Sequence, residues 1–163
     1  MFKKFDFKAA LKINRYIVVG LVIIAMIFAI TTIDKTEINT ALTGIKIQFG
    51  NESLASEVKF EISGTINKSL VSGEVFSGKL MMNQELYKFF RVKGDSKNSV
   101  TVTKIVDGLT TTFGKLYYDE DVTKFVLLLN GWDENDGLMI VAPSTNRSEA
   151  LQLMEEILKD GDL

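Results

Sequence analysis

Cysteine and histidine are both absent from the 163 residues of the chain, and Pro143 is its single proline. Without cysteine there is no disulfide, no thiolate-bound zinc and no cysteine nucleophile. Without histidine, an axial haem histidine and the Ser-His-Asp and Cys-His catalytic groupings are excluded as well. These absences remove the commonest metal-binding and nucleophilic chemistry, so we predict no metal site and no cofactor.

Neither sign of charge dominates the chain, which has 19 basic and 21 acidic residues and a net charge of −2. Proteins that bind nucleic acid usually carry a basic excess, so we predict no nucleic-acid partner. The length fits one domain. The composition, 46% hydrophobic and 25% charged, is that of a folded globular protein.

Charge is missing altogether from residues 16–33, an apolar run of 18 residues. As a helix this run rises about 27 Å, close to the thickness of the hydrocarbon core of a bilayer. We predict an uncleaved transmembrane helix at 16–33. The alternatives are a cleaved signal peptide, whose apolar region is usually about 7–15 residues, and a buried helix of a soluble domain, which would carry a polar stripe.

The flanks of this run differ in charge. Residues 1–15 contain five basic residues and one acidic residue, a net charge of +4, which leaves −6 for the rest of the chain. Short basic flanks stay in the cytoplasm. We therefore predict a single-pass protein of the cell membrane, with a basic amphipathic cytoplasmic segment at 1–15 and residues 34–163 outside. The lipid bilayer is therefore a predicted partner of the chain.

Beyond the apolar run the pattern becomes that of a sheet. Residues 34–43 are polar and are predicted to be a short stalk. Residues 44–163 contain about seven to nine stretches of alternating apolar and polar side chains, such as 58–62, with turn sequences such as Asp107-Gly108 between them. Such short spacing favours antiparallel pairing. We predict an α+β, mainly β fold: an antiparallel β meander, sandwich or barrel-like extracytoplasmic domain at 44–163.

A helix is predicted at the end of this domain, over residues 146–159. Asn146 followed by Glu149 is typical of a capped helix start. Apolar residues then recur at helical spacing: Ala150, Leu151, Met154, Ile157 and Leu158. We expect this face to pack on the sheet or to close one end of a barrel. If it does not, it is the leading candidate for a partner-binding surface.

One motif resembles part of a phosphate-binding loop. Gly73, Gly78 and Lys79 match G-x4-G-K, but Leu80 stands where Ser or Thr would bind magnesium. The loop must also lie between a strand and a helix, whereas both flanks here have the pattern of strands. We therefore predict no nucleotide binding, and interpret Gly73 and Gly78 as turn or bulge glycines.

Two acidic turns, 119–121 and 133–137, are rich in oxygen ligands. The second has the wrong register for a calcium loop, because Trp132 and Pro143 fall on ligand positions. The two turns would hold a cation only if they met in space, and we interpret them as solvated hairpin turns. The chain also has aromatic residues of the kind that line sugar-binding surfaces: Tyr87, Tyr117, Tyr118 and Trp132. Aromatic residues in strands are more often core. Glycosidase-type chemistry needs two carboxylates in a cleft, whereas the acidic residues that can be placed fall in turns, on polar strand faces or on the outer side of the helix, so we predict no catalytic residue and no enzyme.

Three passages, at 63–80, 114–118 and 140–151, carry glycines and turn residues between apolar strands. In these passages the chain resembles small single-pass membrane-anchored proteins of Gram-positive bacteria with an uncharacterised extracytoplasmic β-domain. The resemblance covers about half of the outer domain and implies a fold and a location. It implies no activity.

Two functions are compatible with these features. The first is an anchored, non-catalytic binding or sensor-accessory domain that contacts a membrane or cell-surface protein. The second is a structural or assembly component recognised through its transmembrane helix, in which Ala25 and Ala29 form a small-xxx-small pair.

Overall fold

The computed structural model describes residues 15, 17–24, 26–27, 33–69, 73–91, 95–96, 98–133 and 135–159. The chain forms two compact units, one of Met1–Asp34 with Lys68–Glu74 and one of Lys35–Asn67 with Val75–Leu163. In the first unit, residues 17–24 and 26–27 are helical. No helix among the described residues is long and apolar enough to cross a membrane. The predicted segment 1–15, apart from residue 15, and part of the predicted span 16–33 lie outside the described residues.

Eight strands form a closed antiparallel barrel, each hydrogen-bonded to its neighbours along the chain, with β8 returning to β1. The strands are β1 Ile33–Gln48, β2 Asn51–Ser69, β3 Gly73–Met82, β4 Glu85–Phe90, β5 Ser99–Val106, β6 Leu109–Tyr118, β7 Phe125–Leu129 and β8 Leu138–Ala142, followed by a helix at Arg147–Lys159. The predicted mainly β class with a C-terminal helix is confirmed. Among the predicted alternatives, the barrel is the one observed.

The interior of the barrel is a packed core, because every second side chain of the strands points inward. Four aromatic rings form its centre, with Phe60 and Phe125 edge to face at 4.9 Å and Phe76 against Tyr118 at 5.0 Å. The buried inner side chains are Val58, Phe60, Ile62, Ile66, Phe76, Leu80, Met82, Tyr87, Phe89, Val100, Val102, Leu116, Tyr118, Val122, Phe125, Leu127, Ile140 and Ala142. The barrel is therefore filled by its own side chains.

A second core lies on the outside of the barrel, where the C-terminal helix packs on β6, β7 and β8. It joins four helix residues to outward side chains of the sheet: Ile45, Ile47, Tyr117, Val126, Leu128, Met139, Val141, Ala150, Leu153, Ile157 and Leu158. Because β7 and β8 are buried on both faces, their sequences are continuously apolar rather than alternating. We call this surface the covered face.

The start of the helix is fixed by two sets of hydrogen bonds. Asn146 Oδ1 accepts the backbone N–H of Glu149 at 3.0 Å, as the predicted cap requires. Arg147 reaches the β1–β2 turn, where its guanidinium donates to the carbonyl oxygens of Gln48 at 2.9 Å, Phe49 at 2.7 Å and Asn51 at 3.1 Å. The predicted packing on one face of the sheet is confirmed. The helix buries Leu153, which the sequence pattern did not single out, whereas Leu151, which it did, is half-buried.

Residues 34–43 are not an irregular stalk, since they form the first part of β1. Their composition is polar, but Ile38, Thr40 and Leu42 alternate with exposed neighbours and are half-buried. Ile38 and Leu42 pack against the inner core. The predicted domain start at residue 44 therefore falls inside a strand, and the compact unit begins at Lys35.

Two tight turns close hairpins with positive backbone φ at both central residues, as type I′ turns require. Asp107 and Gly108, with φ of 51° and 79°, join β5 to β6 as the sequence predicted. Asn83 and Gln84, with φ of 48° and 70°, join β3 to β4. The second turn lacks glycine, so its sequence gave no strong turn signal.

Candidate functional site

The outer surface of β3, β4 and β5 is left bare by the helix, and we call it the bare face. Its side chains stand in cross-strand rows set by the register: Met81 opposite Leu86, Lys79 opposite Lys88, and Ser77 opposite Phe90. They alternate with buried inner residues such as Leu80 and Phe89, so they all point away from the core. The bare face thus presents an apolar row, a basic row and an aromatic residue side by side.

The basic row is electrostatically unfavourable for the isolated barrel. Lys79 and Lys88 are directly opposed and exposed, and like charges in such a pair repel. Among the described residues, neither lysine has a carboxylate within ion-pair distance. Lys104 and Lys115, by contrast, lie 2.8 Å from Glu85 and 3.6 Å from Asp95. The opposed pair is therefore a site at which an anionic group would relieve repulsion.

Apolar side chains continue the bare face to the β5–β6 turn. Leu86 is 49% exposed, Ile105 56% and Leu109 71%. A groove of about 400 Å³ on this face is lined by Leu86, Lys88, Phe90, Thr103, Lys104, Ile105 and Thr110. Exposed apolar residues that are contiguous rather than scattered are typical of an interaction surface.

The phosphate-loop-like motif forms no loop. Gly73–Met82 is one continuous strand, so its amide groups do not converge on a phosphate. Gly78, interpreted from sequence as a turn or bulge glycine, pairs in regular register with Phe89 in the middle of β3. A Cβ at Gly78 would stand 2.7 Å from the Phe89 ring and 2.5 Å from the Cα of Gly64. The glycine is needed because the ring and the neighbouring strand occupy that space.

The acidic turn at 133–137 is held by its own carboxylate. Asp133 Oδ1 accepts the backbone N–H groups of Asn135 at 2.7 Å and Asp136 at 3.1 Å, and these bonds lower the pKa of Asp133. The side-chain hydrogen bond with Asp133, and its negative charge, raise the pKa of Asp136. Both carboxylates are exposed, and Asp136 also lines a pocket of about 380 Å³. The hydrogen bonds of Asp133 therefore stabilise the conformation of the turn.

The acidic turn at 119–121 lies between β6 and β7. Asp119 accepts the backbone N–H of Thr123 at 2.7 Å and of Lys124 at 3.0 Å, and the Thr123 hydroxyl at 2.7 Å. These bonds hold Val122 at a φ of 54°, rare for a β-branched residue, with its side chain fully buried in the inner core. Within the part of the chain that the structure describes, no three acidic residues come close enough to hold a metal ion.

A cleft of about 460 Å³ lies beside this turn, lined by Asn98, Tyr118, Asp119, Glu120, Asp121, Glu156 and Ile157. Glu156 is occupied by Lys124, whose Nζ lies 2.7 Å from it, and the pairing raises the pKa of Lys124. Asp119 already accepts hydrogen bonds from Thr123 and from the Lys124 backbone. The cleft is acidic, but two of its carboxylates already have partners.

A polar group of three residues borders the inner core. Tyr87 Oη donates to Glu85 Oε2 at 2.6 Å, and Lys104 Nζ donates to the same oxygen at 2.8 Å. Burial, and next the bond to Glu85, raise the pKa of Tyr87, while the bonds from Lys104 and Tyr87 lower that of Glu85. A tyrosine whose pKa is raised stays protonated, so the arrangement opposes proton transfer from Tyr87.

The aromatic residues considered as a sugar surface do not form one. Tyr87 and Tyr118 are buried in the inner core, and Tyr117 lies under the helix. Trp132 is half-buried, with the edge of its indole against Gly137, where a Cβ would stand 2.6 Å from Nε1. No flat aromatic platform is exposed by these four residues.

No family model, curated protein or solved structure matches the chain. The resemblance to small membrane-anchored proteins of Gram-positive bacteria stays a prediction.

The bare face could not be predicted from the sequence, because its rows exist only once β3 and β4 are paired. Lys79 and Lys88 are nine positions apart, and nothing in the sequence indicates that they are opposed. The register that opposes them is set by the turn at 83–84. This turn is hard to recognise in the sequence, because it lacks the glycine that usually marks such turns.

Proposed function

We propose that this protein is a single-pass membrane protein whose extracytoplasmic barrel is a non-catalytic binding or sensor-accessory domain. The observation that carries the proposal is the bare face, with its opposed lysines and its exposed apolar row. We propose that this face contacts another membrane or cell-surface protein. Since the lysines lack carboxylate partners among the described residues, an acidic patch on that protein is the complement they favour.

The membrane anchor is supported by the apolar run at 16–33 and by the +4 charge of the preceding flank. It is also supported by the described part of the helix, where Ile17, Leu21 and Ile24 are 54%, 61% and 63% exposed. Such side chains are favourable in lipid and unfavourable in water.

The proposed orientation is tested with reporters fused after Leu163. We expect a reporter that is active only outside the cytoplasm to give signal, and a reporter that is active only in the cytoplasm to be silent. The reverse result would contradict the proposed topology and location.

Binding is tested in the membranes of the cell that makes the protein, with a photo-cross-linking amino acid in place of Phe90. We expect one discrete adduct with a different protein. That adduct should disappear when Lys79→Glu and Lys88→Glu are combined. The matched control is Lys159→Glu, an exposed lysine at the end of the helix on the covered face, which should leave the adduct intact. Loss of the adduct in both variants, or no adduct at all, would contradict a role for this face.

The alternative, assembly through the transmembrane helix, makes a different prediction. Replacing residues 16–33 by an unrelated transmembrane helix should preserve the Phe90 adduct if the barrel does the recognition. If the adduct is lost while the protein stays in the membrane, the helix is the recognition element.

A further inference from the structure

The ladder that closes the barrel is far shorter than the strand it closes on. β1 has 16 residues, but only Ile45–Gln48 pair with β8, opposite Leu138–Val141. Beyond the end of β8, Ser144 N–H donates to the carbonyl of Thr43 at 3.3 Å. Among the described residues, no strand pairs with the same edge of residues 35–42.

The backbone groups that face this open edge follow from the closing ladder. Phe49 N–H donates to Gly137 on the β8 side, and the Thr43 carbonyl accepts from Ser144 on that side. In an antiparallel ladder, every second residue directs its N–H and C=O to the same neighbour. Counting back from Phe49 and Thr43, the residues that face the open edge are Lys35, Glu37, Asn39 and Ala41.

The open edge is accessible and has no proline to blunt it. The side chains of Lys35, Glu37, Asn39 and Ala41 are all exposed. Among the described residues, the ion pair along this edge joins Lys35 to Glu37 at 2.8 Å, within the strand itself. Unpaired N–H and C=O groups in such a row are a template for another strand.

The four outward residues are symmetric about Ile38, which makes the edge complementary to itself. In an antiparallel copy centred there, Lys35 lies opposite Ala41 and Glu37 opposite Asn39, each pair occurring twice. Every free N–H and C=O of the four residues then has a partner, and no like charges are opposed. On the inner side, Ile38 meets its own copy, and Thr36 lies opposite Thr40, pairings that sheets favour. A register centred on Glu37 would instead oppose two carboxylates.

We propose that this edge of β1 is a self-association site, where a second copy of the chain pairs antiparallel about a twofold axis at Ile38. The interface is isologous, so it yields a closed dimer and not a filament. It lies on β1, whereas the bare face is formed by β3, β4 and β5, so the two sites are independent.

Because the chain has no cysteine, single cysteines report this register without background. At the twofold axis the pair at residue 38 is of the non-hydrogen-bonded type, with Cα atoms about 4.5 Å apart, a separation that a disulfide spans. We expect Ile38→Cys in the full-length chain, in membranes or detergent, to give a disulfide-linked dimer on mild oxidation. Leu42→Cys is the matched control, since Leu42 is equally half-buried on the same side of β1 but would face Asp34 of the other copy. It should stay monomeric.

The second variant removes one edge hydrogen bond without touching the β1–β2 ladder. Asn39→Pro deletes an N–H that faces the open edge, where proline is tolerated. We expect it to reduce the Ile38→Cys dimer at least tenfold while the thermal unfolding curve keeps one cooperative transition. Equal cross-linking of Ile38→Cys and Leu42→Cys would overturn the proposal. So would an undiminished dimer with Asn39→Pro.

Discussion

The barrel has two outer faces, of which the C-terminal helix covers only one. On the covered face, outward side chains such as Val126 and Met139 are fully buried beneath the helix. On the bare face, Leu86 and Ile105 occupy equivalent outward positions and remain about half exposed. The inner core is common to both faces, so the difference lies in what covers the sheet. Apolar residues on the first face contribute to stability, whereas those on the second are available for binding.

Truncating one leucine on each face should give the largest difference in stability between the two faces. Leu153, in the helix, is 8% exposed and Leu86, on the bare face, is 49% exposed. Leu153→Ala should lower the free energy of unfolding by about 2–5 kcal/mol, because it leaves a cavity between helix and sheet. Leu86→Ala should change it by less than about 0.5 kcal/mol. Denaturant unfolding of the detergent-solubilised full-length chain measures both, and similar losses would mean that the bare face is also a stabilising surface.

Loss of the hydrogen bonds between Arg147 and the β1–β2 turn should give the next largest loss of stability. Arg147→Ala removes a charged donor from three carbonyl oxygens and should destabilise the chain by about 1–3 kcal/mol. Lys159→Ala, at the other end of the helix, removes only an exposed ion pair to Glu155 at 3.7 Å. It should leave the unfolding midpoint nearly unchanged. Equal effects of the two variants would show that the helix is not fixed through its first turn.

The helix cap gives a smaller effect with a clean control. Asn146→Ala leaves the Glu149 N–H without its acceptor and should cost about 1 kcal/mol. Asn146→Asp keeps an acceptor at the same place and should preserve stability. Thermal unfolding distinguishes the two, and a neutral Asn146→Ala would mean that sheet packing alone holds the helix start.

The smallest expected change in the free energy of unfolding, and the one expected to be stabilising, comes from a substitution on the bare face. Lys88→Thr relieves the repulsion from Lys79 and should raise stability by less than about 1 kcal/mol. Lys104→Thr, in the adjacent strand, removes the pair with Glu85 and should lower it slightly. If Lys88→Thr also lowers the unfolding midpoint, the opposed lysines are not a source of strain, and the argument for an anionic partner fails.

Sequence patterns predict an element well where one physical cause dominates. The strand at 138–142 and the helix start at Asn146 were both expected, since an apolar run followed by proline and a capping residue leaves few other structures. The first part of β1 was missed, because the half-buried Ile38, Thr40 and Leu42 include too few apolar residues to show alternation. The opposed lysines were missed because register is a property of two strands and not of either sequence.

Closure of the barrel imposes an order on folding. The ladder between β1 and β8 joins residues 90 to 96 positions apart, so the first strand meets its last partner only when almost the whole chain has been made. Contacts between residues so far apart in the chain form slowly, because the chain loses conformational entropy before the new hydrogen bonds lower the free energy. If the residues after the proposed anchor cross the membrane in chain order, β1 has only β2 as a paired neighbour until β8 arrives. The edge of Ile45–Gln48 that pairs with β8 is therefore the part of β1 that waits longest for its native partner, and it can pair with a wrong strand during that time.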